Sequence, residues 1–120
     1  MMRAGVIGLG DMGSGLAKNL IKNGILTTGF DLSNLRMDAF VQMGGTPVAS
    51  IAEVGNNSDA VFVMVMNGEQ AKSVILGENG LASQMSEGGA VLLTATIKPL
   101  EAREIDAALQ GSGVHLIDSP

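Results

Sequence analysis

The stretch Val6-Ile7-Gly8-Leu9-Gly10-Asp11-Met12-Gly13 decides how the rest of the chain is read. A short apolar run, Ala4 to Ile7, has the character of a buried parallel strand. It leads directly into glycines at Gly8, Gly10 and Gly13, the G-x-G-x-x-G spacing of a dinucleotide-binding turn. Each glycine has a physical task there. Gly8 permits the tight turn, Gly10 lets a pyrophosphate come close to the backbone, and Gly13 lets a helix pack close to the strand. The helix that follows, about 11–23, places Met12, Leu16, Ala17, Leu20 and Ile21 on one stripe and aims its free N–H groups at the phosphates.

Asn23-Gly24 stops that helix, and a second apolar stretch, Ile25 to Phe30, ends in Asp31. Asp31 follows Gly13 at close to the roughly 20-residue offset of an acid that binds an adenosine ribose. A carboxylate there accepts from the ribose diol and repels a 2′-phosphate, which favours NAD over NADP. The alternative is an acid that merely opens the Ser33 helix. Arg36 reads as a helix-surface arginine, although it lies within reach of the same loop.

The chain has 120 residues, enough for one domain with a single core. Hydrophobic residues make up 46% and charged residues 16%, which excludes a disordered chain. The net charge is −5, with no basic stripe and no Tyr or Trp, which argues against a nucleic-acid surface. Cysteine is absent, so neither disulfides nor thiolate metal sites apply, and no metal site is expected. The longest apolar run, Ala60 to Met66, is too short to span a bilayer, and the chain enters a strand too early for a signal peptide. A soluble cytoplasmic protein without a membrane partner is the expectation.

Beyond Asp31 the pattern keeps alternating. Ser33 caps a helix over 34–43 with Leu35, Ala39, Phe40 and Met43 at helical spacing. Thr46-Pro47-Val48 suits a short edge strand, and Ser50 to Glu53 is a capping box. A fourth strand over 60–66, a helix over 68–76, a short helix near 81–85 and a fifth strand over 90–94 follow. Pro99 opens a helix to about Gln110, and Val114 to Ile117 is the sixth strand. Six strands separated by helices predict an α/β fold, a doubly wound parallel sheet of Rossmann type in the order 3-2-1-4-5-6, as one domain over 1–120. Ligands of such sheets lie beyond the carboxyl ends of the strands, where strand order reverses. That rule selects the turn at 8–13, Asp31, the loop from Met66 to Glu69, the segment Ala95 to Pro99, and Asp118 to Pro120.

At these strand ends the sequence resembles the β-hydroxyacid dehydrogenases, the family of 3-hydroxyisobutyrate dehydrogenase and tartronate semialdehyde reductase. Gly8-Leu9-Gly10-Asp11-Met12-Gly13 with Ala17-Lys18-Asn19-Leu20 is similar to its G-L-G-x-M-G and M-A-x-N-L segments. Ala95-Thr96-Ile97-Lys98-Pro99 is similar to S-T-x-x-P, and Ile117-Asp118-Ser119-Pro120 to D-A-P. The resemblance implies hydride transfer between NAD and a small β-hydroxyacid. It implies that Gly8, Leu9, Gly10, Asp11, Met12 and Gly13 hold the pyrophosphate and Asp31 the ribose. Met66 and Asn67 would cover part of the cofactor, and Thr96 would lie beside the nicotinamide ribose.

This chain departs from the pattern at Gly15 (usually proline), Leu93 (usually an acid) and Ala95 (usually serine). After strand four, Asn67-Gly68-Glu69-Gln70 replaces the common Leu-Pro, and this N-x-x-Q resembles the L-threonate dehydrogenase branch. The family continues into a helical domain that carries a catalytic lysine and through which it usually forms homo-oligomers. Lys18, Lys22, Lys72 and Lys98 do not match that lysine, so no catalytic residue is assigned, and the isolated cofactor domain is expected to lack turnover.

Several residues admit blander readings. Asn67 is as well read as a helix N-cap as a ligand group. Asp11 is expected to point outward, since a carboxylate aimed inward would repel a pyrophosphate. His115 alternates in the last strand as a sheet-face residue, and the eight methionines read most simply as core filler. A non-enzymatic NAD-sensing regulatory domain is the alternative function. It shares the glycine turn and the acid but has no need of Thr96-x-x-Pro99 or Asp118-Ser119-Pro120. A methyltransferase would prefer G-x-G-x-G, and Met12 stands where its last glycine belongs.

Overall fold

The computed structural model describes residues 2–94 and 98–118, so the expectations for Ala95-Thr96-Ile97 and Ser119-Pro120 lie outside the described residues. Twelve elements alternate along the chain: β1 (Arg3–Ile7), α1 (Asp11–Lys22), β2 (Leu26–Phe30), α2 (Asn34–Gln42), β3 (Thr46–Pro47), α3 (Ile51–Asn56), β4 (Ala60–Val63), α4 (Gly68–Leu76), α5 (Leu81–Gln84), β5 (Ala90–Leu93), α6 (Pro99–Leu109) and β6 (His115–Asp118). The strands form one six-stranded sheet in the order β3-β2-β1-β4-β5-β6, and every pairing is parallel. This is the predicted doubly wound order, with its reversal between β1 and β4. Among the described residues no helix is long and apolar enough to cross a membrane.

Strand alternation divides the core between the two faces of the sheet. Ile7, Val61, Val63, Val91 and Leu93 face one way and pack with Val54, Ile75, Leu81 and Ile105 from the helices. Val6 faces the other way and packs with Leu9, Ala17 and Phe40 under α1 and α2. On this second face a register row runs Val6, Phe62, Leu92, Ile117. Its cover thins along the row: Val6 is fully buried, Phe62 and Leu92 are half-buried, and Ile117 is 47% exposed.

Four expectations need correction. Strand β4 ends at Val63 rather than Met66. The Met64 N–H still donates to the Ile7 carbonyl at 2.9 Å, but β1 then turns at Gly8, whose φ is +94°, and its ladder with β4 ends there. Met12 is not on the buried stripe of α1; it is 75% exposed, because it borders the open cleft. In α2 the buried side runs through Met37 and Phe40, leaving Leu35 81% exposed and Ala39 exposed as well. Phe40 lies across Gly29, where a Cβ would meet the ring at 2.6 Å, so this ring fixes the phase of the helix. The methionines are likewise not all core filler, since Met66 is 85% exposed.

Candidate dinucleotide-binding cleft

The sheet reverses its order where β1 and β4 end side by side, and a cleft of about 640 Å³ opens there. Its floor is the turn from Gly8 to Gly13. Gly8 has φ +94°, and its N–H donates to the Phe30 carbonyl at 3.0 Å, tying the turn to the end of β2. A Cβ on Gly8 would run into the Met64 carbonyl oxygen, and one on Gly13 into the Gly8 carbonyl oxygen. Both glycines are therefore required by the protein's own packing. Gly10 differs. Its φ of −69° and ψ of −167° are open to any residue, and a Cβ there would meet nothing closer than the Arg36 guanidinium, at 3.7 Å. The fold leaves room for a side chain at Gly10, and the chain puts none there. The open space faces the cleft and the N-terminus of α1, whose first N–H groups have no side-chain cap. An uncapped helix N-terminus beside open space is the setting that favours a phosphate.

Asp31 forms the next wall. Its carboxylate accepts from the Leu9 N–H at 2.7 Å and from the Ser33 N–H at 2.8 Å. Arg36 stands 3.6 Å from Oδ2. Partial burial pushes the carboxyl pKa up, but the two backbone N–H groups and Arg36 outweigh it and hold the group below the usual carboxylate range. Asp31 is thus ionised at neutral pH, does help to open the Ser33 helix, and also borders the cleft. These roles are compatible because a carboxylate has about four acceptor positions.

The other wall comes from the ends of β4 and β5. Met64, Val65 and Met66 border the cleft, and the Gln70 side chain accepts from the Met66 N–H at 2.8 Å, fixing the loop. Thr94 also borders it, with its hydroxyl donated to the Val63 carbonyl at 3.1 Å. Leu93, where the resembling family has an acid, is fully buried in the core and contributes no polar group.

The structure brings Gly8, Gly10, Asp11, Met12, Gly13, Asp31 and Met66 to one cleft. Asp11 is exposed in the first turn of α1, at the lip. Leu9 is 1% exposed, so only its backbone faces Asp31. Asn67 is not among the lining residues, and its side chain caps α4 by accepting from the Gln70 N–H at 2.9 Å. Thr96 lies outside the described residues. Sequence reasoning undervalued Arg36, which lines the cleft rather than standing on the outer helix surface. Its position in the first turn of the Ser33-capped helix, close in sequence to Asp31, was the available signal.

The chain matches, over residues 3–120, the family described as the NAD binding domain of 6-phosphogluconate dehydrogenase. It is 38% identical to an L-threonate dehydrogenase of Cupriavidus necator, over 97% of this chain and 39% of that protein. It is 33% identical to a 3-sulfolactaldehyde reductase of Escherichia coli, over 95% of this chain and 38% of that protein. Among solved structures, a 3-hydroxyisobutyrate dehydrogenase from Salmonella typhimurium superposes with a TM-score of 0.90 at 32% identity, covering 97% of this chain and 40% of the other. The chain thus spans about two fifths of the length of the curated relatives it matches.

Proposed function

Because the chain belongs to the NAD-binding domain family of 6-phosphogluconate dehydrogenase, a family whose relatives here are β-hydroxyacid dehydrogenases and reductases, we propose that it is the cofactor-holding part of an enzyme moving a hydride between NAD and a small β-hydroxyacid. The observation that carries this reading is Gly10. It is the one glycine of the turn that the protein's own packing does not demand, and it opens onto a helix N-terminus beside an ionised carboxylate. Gly8 and Gly13 shape the floor, Gly10 admits the pyrophosphate, and Asp31 accepts from the adenosine ribose diol. Met12 and Met66 offer apolar contact on either side. Asn67 acts indirectly, by capping α4 and fixing the loop that carries Met66, and the family resemblance assigns Thr96 to the nicotinamide ribose. NAD supplies the hydride acceptor or donor; this chain binds it, orients it and limits water on one side.

Four-carbon sugar acids such as threonate are the favoured substrate class. Support comes from the L-threonate dehydrogenases among the relatives and from Asn67-x-x-Gln70, whose two side chains shape the loop after β4. Turnover needs a proton donor positioned against the substrate, and residues 1–120 by themselves are expected to bind NAD without it. The test is a chimera joining these residues to the C-terminal part of the C. necator L-threonate dehydrogenase. NAD reduction with L-threonate supports the reading. A folded chimera that binds NAD but ignores L-threonate while oxidising another β-hydroxyacid refutes the substrate class, and one that binds no NAD refutes the whole.

A further inference from the structure

We propose that Arg36 is the phosphate-neutralising contact of the cleft, placing its guanidinium against a pyrophosphate oxygen of the bound dinucleotide; this rests on the reading that NAD occupies the cleft. Charge is the first argument. A dinucleotide pyrophosphate is a dianion, and the cleft already presents two carboxylates, Asp11 and Asp31. Among the described residues lining it, Arg36 alone carries a positive charge. The α1 dipole favours a phosphate, but Asp11 in the first turn works against it. Arg36 is therefore the one side chain among the described lining residues that can offset these carboxylates beside a phosphate.

Position is the second argument. The guanidinium lies 3.7–3.8 Å from where a Cβ on Gly10 would stand, and so over the space where a phosphate would approach the turn. Its contact with Asp31, at 3.6 Å, is longer than a hydrogen bond, whereas two backbone N–H groups at 2.7 and 2.8 Å already hold that carboxylate. The Arg36 side chain is 56% exposed. Most of its five donors are therefore uncommitted, and a planar guanidinium suits two phosphate oxygens at once. The same group could instead meet a 2′-phosphate on the ribose beside Asp31, and NAD against NADP separates the two sources.

The experiment titrates NAD, NADP and adenosine into the 120-residue chain and its Arg36→Gln and Arg36→Lys variants, by calorimetry and by NMR for weak ligands, at low and high salt. A charge-assisted contact is worth about tenfold or more in affinity. The expected result is an NAD affinity lowered about tenfold in Arg36→Gln at low salt. The deficit should shrink at high salt and be partly restored in Arg36→Lys, while adenosine, which has no phosphate, titrates all three proteins alike. Equal NAD affinity in wild type and Arg36→Gln overturns the proposal while leaving the NAD reading intact. So does an equal loss for adenosine, which would mean that Arg36 acts only through Asp31, or a loss confined to NADP, which would assign Arg36 to the 2′-phosphate. A folded wild type that binds no NAD overturns the underlying reading itself.

Discussion

Alanine at Gly10 and alanine at Gly13 should have opposite consequences, although the two glycines belong to one motif. At Gly13 a Cβ would be driven into the Gly8 carbonyl oxygen, a backbone atom that no rotamer change can move. Relief requires α1 to shift away from β1, loosening Ala17 and Leu9 in the core beneath it. Overpacking of this kind costs about 3 kcal/mol at the upper end, and the better helix propensity of alanine returns about 1 kcal/mol. The net loss of about 2 kcal/mol corresponds to a fall in Tm of roughly 6–10 °C for a domain of this size. At Gly10 the backbone already has a conformation open to alanine, and the nearest atom is 3.7 Å away. There Gly10→Ala should cost less than about 1 kcal/mol, the range of an exchanged N-cap residue. Its added methyl, however, occupies the space assigned to the pyrophosphate, and NAD affinity should fall about a hundredfold, the equivalent of roughly 2.7 kcal/mol. Thermal melts of both variants, with NAD titrations at a temperature where both are folded, make the comparison. Gly10→Ala binding NAD as wild type does would refute the close approach, and Gly13→Ala melting with wild type would refute the packing argument.

Other expectations follow from single contacts. The Asp31 pKa is lowered in the folded state, so its stabilisation is complete above the ordinary carboxylate pKa and is lost as pH falls through the lowered value. Asp31→Asn should therefore be about 1–2 kcal/mol less stable at pH 7, with the gap to wild type closing in acid, as urea midpoints across pH will read. Asn67→Ala should lose about 1 kcal/mol through its missing cap, whereas Asn67→Asp should keep the wild-type Tm. Neighbours on β5 test which face is covered: Val91→Lys should abolish the cooperative melt, while Leu92→Lys, on the thinly covered row, should preserve it.

Much of this architecture is legible in the sequence because the signals are local and mutually consistent. Gly8 to Gly13, the Ser33 and Ser50 caps, Pro99 and the apolar strands each act within a few residues of themselves, and the doubly wound order follows from their alternation. What escaped was tertiary. Helical spacing alone could not tell that Phe40 must lie over Gly29, so the buried side of α2 was misphased onto Leu35. Nor could it tell that Met12 borders the open cleft, which takes it out of the core. Spacing alone puts Arg36 on the helix surface; its approach to Asp31 is a property of packing. Asn67 stood as cap or ligand until the hydrogen bond from the Gln70 N–H showed where its side chain is engaged.

Whether the cleft beside Gly10 and Asp31 holds NAD is decided by calorimetric titration of NAD into the 120-residue chain, with Asp31→Ala alongside. Saturable binding of one NAD per chain, weakened at least tenfold in a folded Asp31→Ala variant, is the expected result. No binding to the folded wild type, or equal binding by the two proteins, would contradict it.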